Sequence, residues 1–393
     1  MSIRRSFPGI ICAIILLLEA AAYAAEVSVV RVPTGGFKAS AAVDPAGTLH
    51  LVYFSGDTAG GNVLYAVSRD GGATFSPPLR VNSQPGSALG ASSARGPHLA
   101  LGREGRVHVL WPGSSKAQPR GPLNPAMDAK SPYNGTPLLY SCQDATQRSF
   151  MQQQNLMRRT TALDGDSALA ADGEGRVFAA WHGLPADGSA KGEAGRAVWL
   201  ARSEDDGATF AEEKNILPEP TGACACCGLT VSAAANGNVA ILYRVAIENT
   251  RRGERLLFSR DRGATFKATQ LDDWKLTSCP MSTGALVPAR SGFLGAWENA
   301  GRIFIAPLPA AAAGSVSGTA TNRKHPSLTI NSRGEALLAW TENIGFGRGG
   351  DVAWQLFDAQ GQRLGEPGRA TGLPGHGNVA TAALADGKFV VIY

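Results

Sequence analysis

The sequence predicts an all-β chain wound into a β-propeller of six or seven blades, and three observations carry that prediction. A turn glycine followed six residues later by an aromatic recurs along the chain. The octapeptide Ser-x-Asp-x-Gly-x-Thr-Phe occurs in three copies, at Ser68–Phe75, Ser203–Phe210 and Ser259–Phe266. With 48 glycines and 23 prolines and few long apolar periodic stretches, the composition suits many short strands joined by tight turns.

The first segment to place is not part of that fold. Arg4 and Arg5, an apolar run from Ile10 to Leu18 and small residues ending in Ala22-Tyr23-Ala24 read as a cleavable secretory signal over residues 1–24. The run is too short for a hydrocarbon core that needs roughly 20 apolar residues. Arg4-Arg5-Ser6-Phe7 also resembles a twin-arginine signal, and Cys12 precedes the apolar run, so nothing points to a lipoprotein. Export to the periplasm or the medium is the expectation, with residues 25–393 as one domain. Its formal net charge falls from +5 to +4 once Arg4, Arg5 and Glu19 are removed, which gives no reason to expect nucleic-acid or membrane partners. A monomer is expected.

The repeats follow in chain order as Gly47/Tyr53, Gly105/Trp111, Gly175/Trp181, Gly237/Tyr243, Gly292/Trp297 (one residue shorter), Gly334/Trp340 and Gly387/Tyr393. Each glycine is flanked by apolar stretches, the pattern of a hairpin with a polar turn. A third strand follows several of them, at residues 62–67, 197–201 and 255–258, and runs into an octapeptide. Units of three or four strands at a spacing of roughly 45 to 70 residues match propeller blades better than a sandwich. Seven hairpins favour seven blades over six. The last hairpin ends the sequence, so Val27 to Val32 is expected to complete its blade.

In the octapeptide the Asp can accept backbone N–H groups inside the turn, the Gly permits positive φ and the aromatic packs beneath. It is expected to be structural rather than a catalytic carboxylate. A degenerate copy runs from Cys142-Gln143-Asp144 to Phe150. These turns resemble the Asp boxes of sialidase and BNR-repeat propellers, over most of residues 27–393, and the resemblance implies fold rather than activity.

In a propeller, the segments before each first strand and the loops after each second strand surround one mouth of the channel, and the octapeptide turns lie on the opposite face. That places His98, Asp166, Cys224, Cys226, Cys227, Cys279, His325 and His376 at the mouth, with Asp57, His182, Arg244, Glu248, Glu298 and Glu342. The long Pro- and Gly-rich loop from Pro112 to Pro137 is expected on the same face as a lid. A glycan or small ligand at this mouth is the expected partner.

Four of the mature cysteines fall there. Disulfides are expected in an oxidising compartment, Cys279 with one of Cys224, Cys226 and Cys227, and the odd total including Cys142 leaves a thiol over. The alternative is a metal held by Cys224, Cys226, Cys227 and Cys279. C-x-C-C is unlike structural zinc spacing, and thiolates beside imidazoles suit copper, so copper is the one cofactor to consider. The Cys-x-Cys-Cys cluster followed by Trp274-Lys275-Leu276-Thr277-Ser278-Cys279-Pro280 looks like a bacterial subgroup of sialidase-like propellers.

A sialidase needs three arginines, a tyrosine nucleophile activated by a glutamate, and an aspartate acid/base. Val30-Arg31-Val32-Pro33 is similar to the family's Phe/Tyr-Arg-Ile-Pro, which implies Arg31 as the first carboxylate-binding arginine; Arg244 resembles the second and Asp57 the acid/base. Arg31 also reads as an ordinary strand-end charge and Asp57 as a turn residue. No third arginine stands in the expected context after Trp297 or Trp340, and after Tyr243 the only tyrosine is Tyr393. The sequence therefore favours an exported ligand-binding propeller with a disulfide-stabilised Cys/His mouth, the alternative being an exo-glycosidase of sialidase type with a degenerate arginine cluster.

Overall fold

The computed structural model describes residues 25–92, 94, 96–161, 163, 167–309, 314–315 and 322–393; the signal segment and Asp166 lie outside them. The chain forms seven sheets, six of them antiparallel and the seventh mixed, arranged as the seven blades of a propeller. The innermost strands of blades 1 to 7 are Phe37–Val43, His98–Leu101, Ser167–Ala171, Thr230–Ala233, Gly284–Ala289, Arg323–Ile330 and Ala380–Ala383. Each touches the next around the ring, and the seventh touches the first.

Blades 1 to 6 carry four strands in chain order from the channel outwards, blade 3 with a short extra strand, Thr160–Thr161, against its second strand. Blade 7 has three. Its outer strand is Val27–Val30, which pairs parallel with Phe389–Ile392. A strand parallel to the second one runs in the direction an outermost strand would take. It therefore leaves the sheet on the face where the first strand of blade 1 begins, and the N-terminal strand closes the ring as the outer edge of blade 7.

The repeated aromatics explain how the blades hold together. Tyr53, Trp111, Trp181, Tyr243, Trp297, Trp340 and Tyr393 are all buried, six of them at 1% exposure or less. Each belongs to the apolar layer between its own blade and the preceding one; Trp111, for example, packs with Val52, Phe54 and Val63 of blade 1. Seven such layers separate seven blades. Truncating one of these tryptophans would cost about 3–5 kcal/mol.

The octapeptide turns close on themselves in the same way three times. Ser68, Ser203 and Ser259 donate to the Asp70, Asp205 and Asp261 carboxylates at 2.7 Å. Those carboxylates accept the backbone N–H of Thr74, Thr209 and Thr265 at 2.8–2.9 Å and their hydroxyls through the second oxygen. These bonds hold Asp70 down to about 2 and depress Asp205 and Asp261 too. The degenerate copy behaves alike, Asp144 accepting from Thr146, Arg148 and Ser149.

Candidate functional site

The innermost strands enclose a cavity of about 290 Å³ at the channel, with residues from all seven blades in its wall. Side chains tie neighbouring blades around it. Ser40 Oγ accepts the Leu99 N–H (3.1 Å), Ser327 Oγ meets Thr381 Oγ1 (3.0 Å), and Asn378 donates to the Ala39 carbonyl (3.3 Å). Two strands are distorted where they enter the mouth. Pairing skips between Phe37 and Ser40 in blade 1 and between Lys324 and Ser327 in blade 6. Lys38 and His325, each two residues before the serine where pairing resumes, stand at φ 58° and 50°. Bulges with left-handed residues re-aim side chains at a cost that surrounding structure must offset.

His325 is 3% exposed. Its Nδ1 lies 3.4 Å from Thr283 Oγ1, and its Nε2 has no hydrogen-bond partner. Burial, reinforced by the Lys38 and Lys324 charges, pushes the imidazole down to about 3, so it is neutral at physiological pH. His376 is shifted the same way by burial and Lys38, and its Nδ1 is also without a partner, as is Asn378 Oδ1. The buried Lys38 ammonium donates to the Ser92 carbonyl. His98 opens the innermost strand of blade 2 and lines the same cavity. At the rim, the ring of Phe346, 74% exposed, meets His376 edge-on at 5.5 Å.

The cysteines gather beside this cavity, where the chain enters blades 4 and 5. Cys226 and Cys279 form a disulfide. Cys224 and Cys227, each 1% exposed, lie beneath it as free thiols; Cys224 Sγ is 3.3 Å from Cys227 Sγ and 3.4 Å from Cys279 Sγ. The fifth cysteine, Cys142, is buried and free in blade 2. Blade 3 clamps the cluster: His182 Nε2 lies 2.7 Å from the Cys227 carbonyl, and Glu193 accepts the Ala225 N–H (2.7 Å) and the Arg252 guanidinium (2.7 Å). Burial would raise the Cys227 thiol, but the hydrogen bond from Cys224 and the Arg244 charge bring it down to about 7. Cys224, as the donor, is pushed up.

Arg244 is 3% exposed and held through both terminal nitrogens, while its Nε has no hydrogen-bond partner. It donates to the Arg252 carbonyl (2.7 Å) and the Glu298 carbonyl (2.5 Å), and pairs with Glu298 (3.4 Å) and Glu254 (3.5 Å). Burial outweighs this pairing and pushes Glu254 up to about 8, and it raises Glu298 as well. Trp274 packs its ring 5.3 Å from the guanidinium. Glu342 is likewise consumed, accepting Arg323 (3.1 Å), Trp340 (2.8 Å) and Arg369 (2.7 Å).

The sequence-derived arginines and Asp57 are not brought together. Arg31 is exposed, donates to Thr371 (2.7 Å) and Gly372 (2.5 Å) on the outermost strand of blade 6 and stacks 4.1 Å over Tyr393, whose hydroxyl donates to Thr371. Asp57 accepts the Ala59 N–H (2.9 Å) in the loop after the second strand of blade 1. Arg244 ends the second strand of blade 4, across the ring from both. Glu193, Arg252, Glu254, Asp272 and Lys38 were not singled out from the sequence. They come from loops, a strand start and a bulge with no motif of their own.

No protein-family model matches the chain, and no curated protein matches it. Solved structures do. The Hadza microbial sialidase Hz136 superposes with a TM-score of 0.52 at 12% identity; the match covers 83% of this chain and 66% of that one, just under two thirds of its length. The α-L-arabinanase of Penicillium chrysogenum, solved with arabinobiose, gives 0.53 at 12% identity over 84% of this chain and 95% of that one. A protein of unknown function from Dyadobacter fermentans gives 0.54 at 15% identity over 84% and 97%. At these identities the likeness is one of fold.

Proposed function

We propose that this chain is an exported, monomeric propeller of the sialidase-like Asp-box lineage that binds a small polar ligand of glycan type in its channel mouth. The observation that carries the reading is His325: a neutral imidazole, held in a left-handed bulge in the wall of the channel cavity, with a buried and unpartnered Nε2. An orphaned buried polar atom costs free energy that a ligand hydroxyl or carbonyl would recover. A cavity of about 290 Å³ sits at the small end of ligand pockets, the size of one sugar ring or sugar acid. The exposed ring of Phe346 at the rim offers a face for the apolar side of a sugar. Export is supported by the Cys226–Cys279 disulfide and by the N-terminal signal pattern. Among the described residues no helix is long and apolar enough to cross a membrane.

Hydrolysis of terminal sugars is the competing reading. It would draw on Arg31, Asp57 and Arg244, and it finds support in the glycosidases that share the fold. The separation of those three residues and the burial of Arg244, whose two terminal nitrogens are already engaged, favour binding. Calorimetric titration with terminal sugars and sugar acids tests this: micromolar to millimolar binding is expected, weakened at least ~10-fold in His325→Gly, which tolerates the same φ. Unchanged affinity in that variant would overturn the reading. Turnover of a fluorogenic sialoside or arabinofuranoside that disappears in Asp57→Asn would replace it with the hydrolytic one.

A further inference from the structure

The four clustered cysteines are arranged in two layers, and the layering has a chemical meaning. Cys226 and Cys279 form the outer layer, both partly exposed; Cys224 and Cys227 lie fully buried beneath. The sulfurs of Cys224, Cys227 and Cys279 lie within 4.8 Å of one another, close enough for one ion to touch all three. In the disulfide state, however, Cys279 is bonded to Cys226 and cannot ligate as a thiolate.

The surroundings are prepared for negative charge. Arg244 and Arg252 are both buried, and Arg244 Nε, Arg252 Nε and Arg252 Nη1 have no hydrogen-bond partner. Orphaned guanidinium nitrogens are expensive inside a protein, and anions are what they complement. Glu193, Glu254 and Glu298 offset part of that charge, and a cation wrapped in three thiolates, being net negative, complements the guanidinium nitrogens left over.

We propose that Cys224, Cys227 and Cys279 form a Cu(I) site that is closed while the Cys226–Cys279 disulfide is intact and opens when a dithiol reduces it. The reduction balances as one disulfide plus one dithiol giving two cysteine thiols and the reductant's own disulfide, with two electrons and two protons transferred. Loading then exchanges protons for metal: Cu(I) plus three thiols gives a trithiolate complex of charge −2 and three protons released to solvent. Thiolate sulfur is the soft donor that favours Cu(I) among first-row ions, and three such ligands with no fixed fourth suit it better than Zn(II). Cys226, freed by reduction, is left at the surface as the residue that re-forms the gate. This site is separate from the ligand cavity at His325 and stands or falls independently of it.

The test uses the mature full-length protein, prepared once in its disulfide form and once after reduction by a dithiol that is then removed without air. Each is mixed with the coloured bathocuproine disulfonate complex of Cu(I). The reduced protein is expected to withdraw one Cu(I) per chain, and the disulfide form at least ~10-fold less. Cys224→Ser and Cys279→Ser should each abolish the withdrawal while circular dichroism and melting stay near those of the reduced wild type. Cys279 is partly exposed, so its variant guards against a folding failure at the buried position. Equal withdrawal by both redox forms would overturn the gate. Loss of uptake in Cys142→Ser as large as in Cys224→Ser would overturn the site, because Cys142 lies in another blade. Zn(II) retained against a chelator as firmly as Cu(I) would overturn the choice of metal.

Discussion

On one face of the ring the three octapeptide turns satisfy nearly every polar group they contain, whereas on the other, buried polar atoms go without partners and the backbone is strained. The same chain builds both. Among the described residues held at positive φ without being glycine, Glu104, Gln147, Asp206 and Arg262 belong to the turn face, while Lys38, Ser92, Met281, Ala300, His325, Asn343 and His376 belong to the mouth. His325 Nε2, His376 Nδ1, Asn378 Oδ1 and three guanidinium nitrogens are the mouth's unpartnered atoms. Local sequence rules are obeyed where the job is to hold the blade together and broken where a ligand is expected.

The largest test of this contrast is Arg244. Replacing it by Ala leaves Glu254 and Glu298 buried without their shared cation, and should cost about 3–5 kcal/mol by denaturant unfolding. Arg31→Ala, which removes an exposed guanidinium, should cost under ~1 kcal/mol. Similar losses for the two would mean that the burial of the Arg244 network is energetically unimportant.

Glu254 at the mouth and the aspartates of the turns should also fail at opposite ends of the pH scale. Glu254 is raised by burial from 4.5 to about 8, so its contribution is complete below 4.5 and disappears as pH climbs towards 8. The turn aspartates are depressed from 3.8, Asp70 and Asp144 to about 2, so their contribution is complete above 3.8 and lost as pH falls through 2. Glu254→Gln should therefore flatten the decline in melting temperature between pH 5 and 8 and leave the acid limb unchanged. A variant that instead alters the acid limb would show that the faces do not titrate separately.

Next in size is the turn face itself. The buried Ser259 Oγ accepts the N–H of the buried Gly263 (2.8 Å) and donates to the exposed Asp261 carboxylate (2.7 Å). Ser259→Ala should cost about 1–3 kcal/mol, since it orphans an amide. Ligand binding at the mouth should not change, and a drop in affinity would break the separation between scaffold and site.

How much of this was legible beforehand follows from the same contrast. The Gly-to-aromatic repeat was enough to count seven blades, because each aromatic occupies the same layer between its blade and the preceding one. Strand direction then assigned every loop to a face. That the N-terminal strand would complete blade 7 was legible too; that it would do so as the third of three strands, parallel to its neighbour, was not. The Arg244 network was invisible because Glu254 and Arg252, Asp272 and Glu193 come from three different segments with no shared spacing. Lys38 was hidden by a bulge, which is a property of pairing register and leaves no periodic mark. The cysteines could be placed at the mouth, but which pair is bonded depends on side-chain directions that spacing does not encode.

The smallest effect separates strain that serves a ligand from strain that does not. Ala300 and Gly301 form the two-residue turn between the paired residues Asn299 and Arg302, at φ 52° and 74°. A turn of this kind prefers Asn-Gly, and alanine in the left-handed region costs about 1 kcal/mol. Ala300 is exposed and is not part of the cavity wall, so its strain has no evident ligand to justify it. Ala300→Asn should raise stability by about 0.5–1 kcal/mol and the melting temperature by a few degrees, with ligand affinity unchanged. His325 shares the same left-handed conformation, but it stands in the cavity wall, and removing its ring removes a buried, unpartnered nitrogen. If relaxing Ala300 also weakened binding, strain across the mouth would have to be a collective property of the face, and His325 would lose its claim to be the residue on which recognition turns.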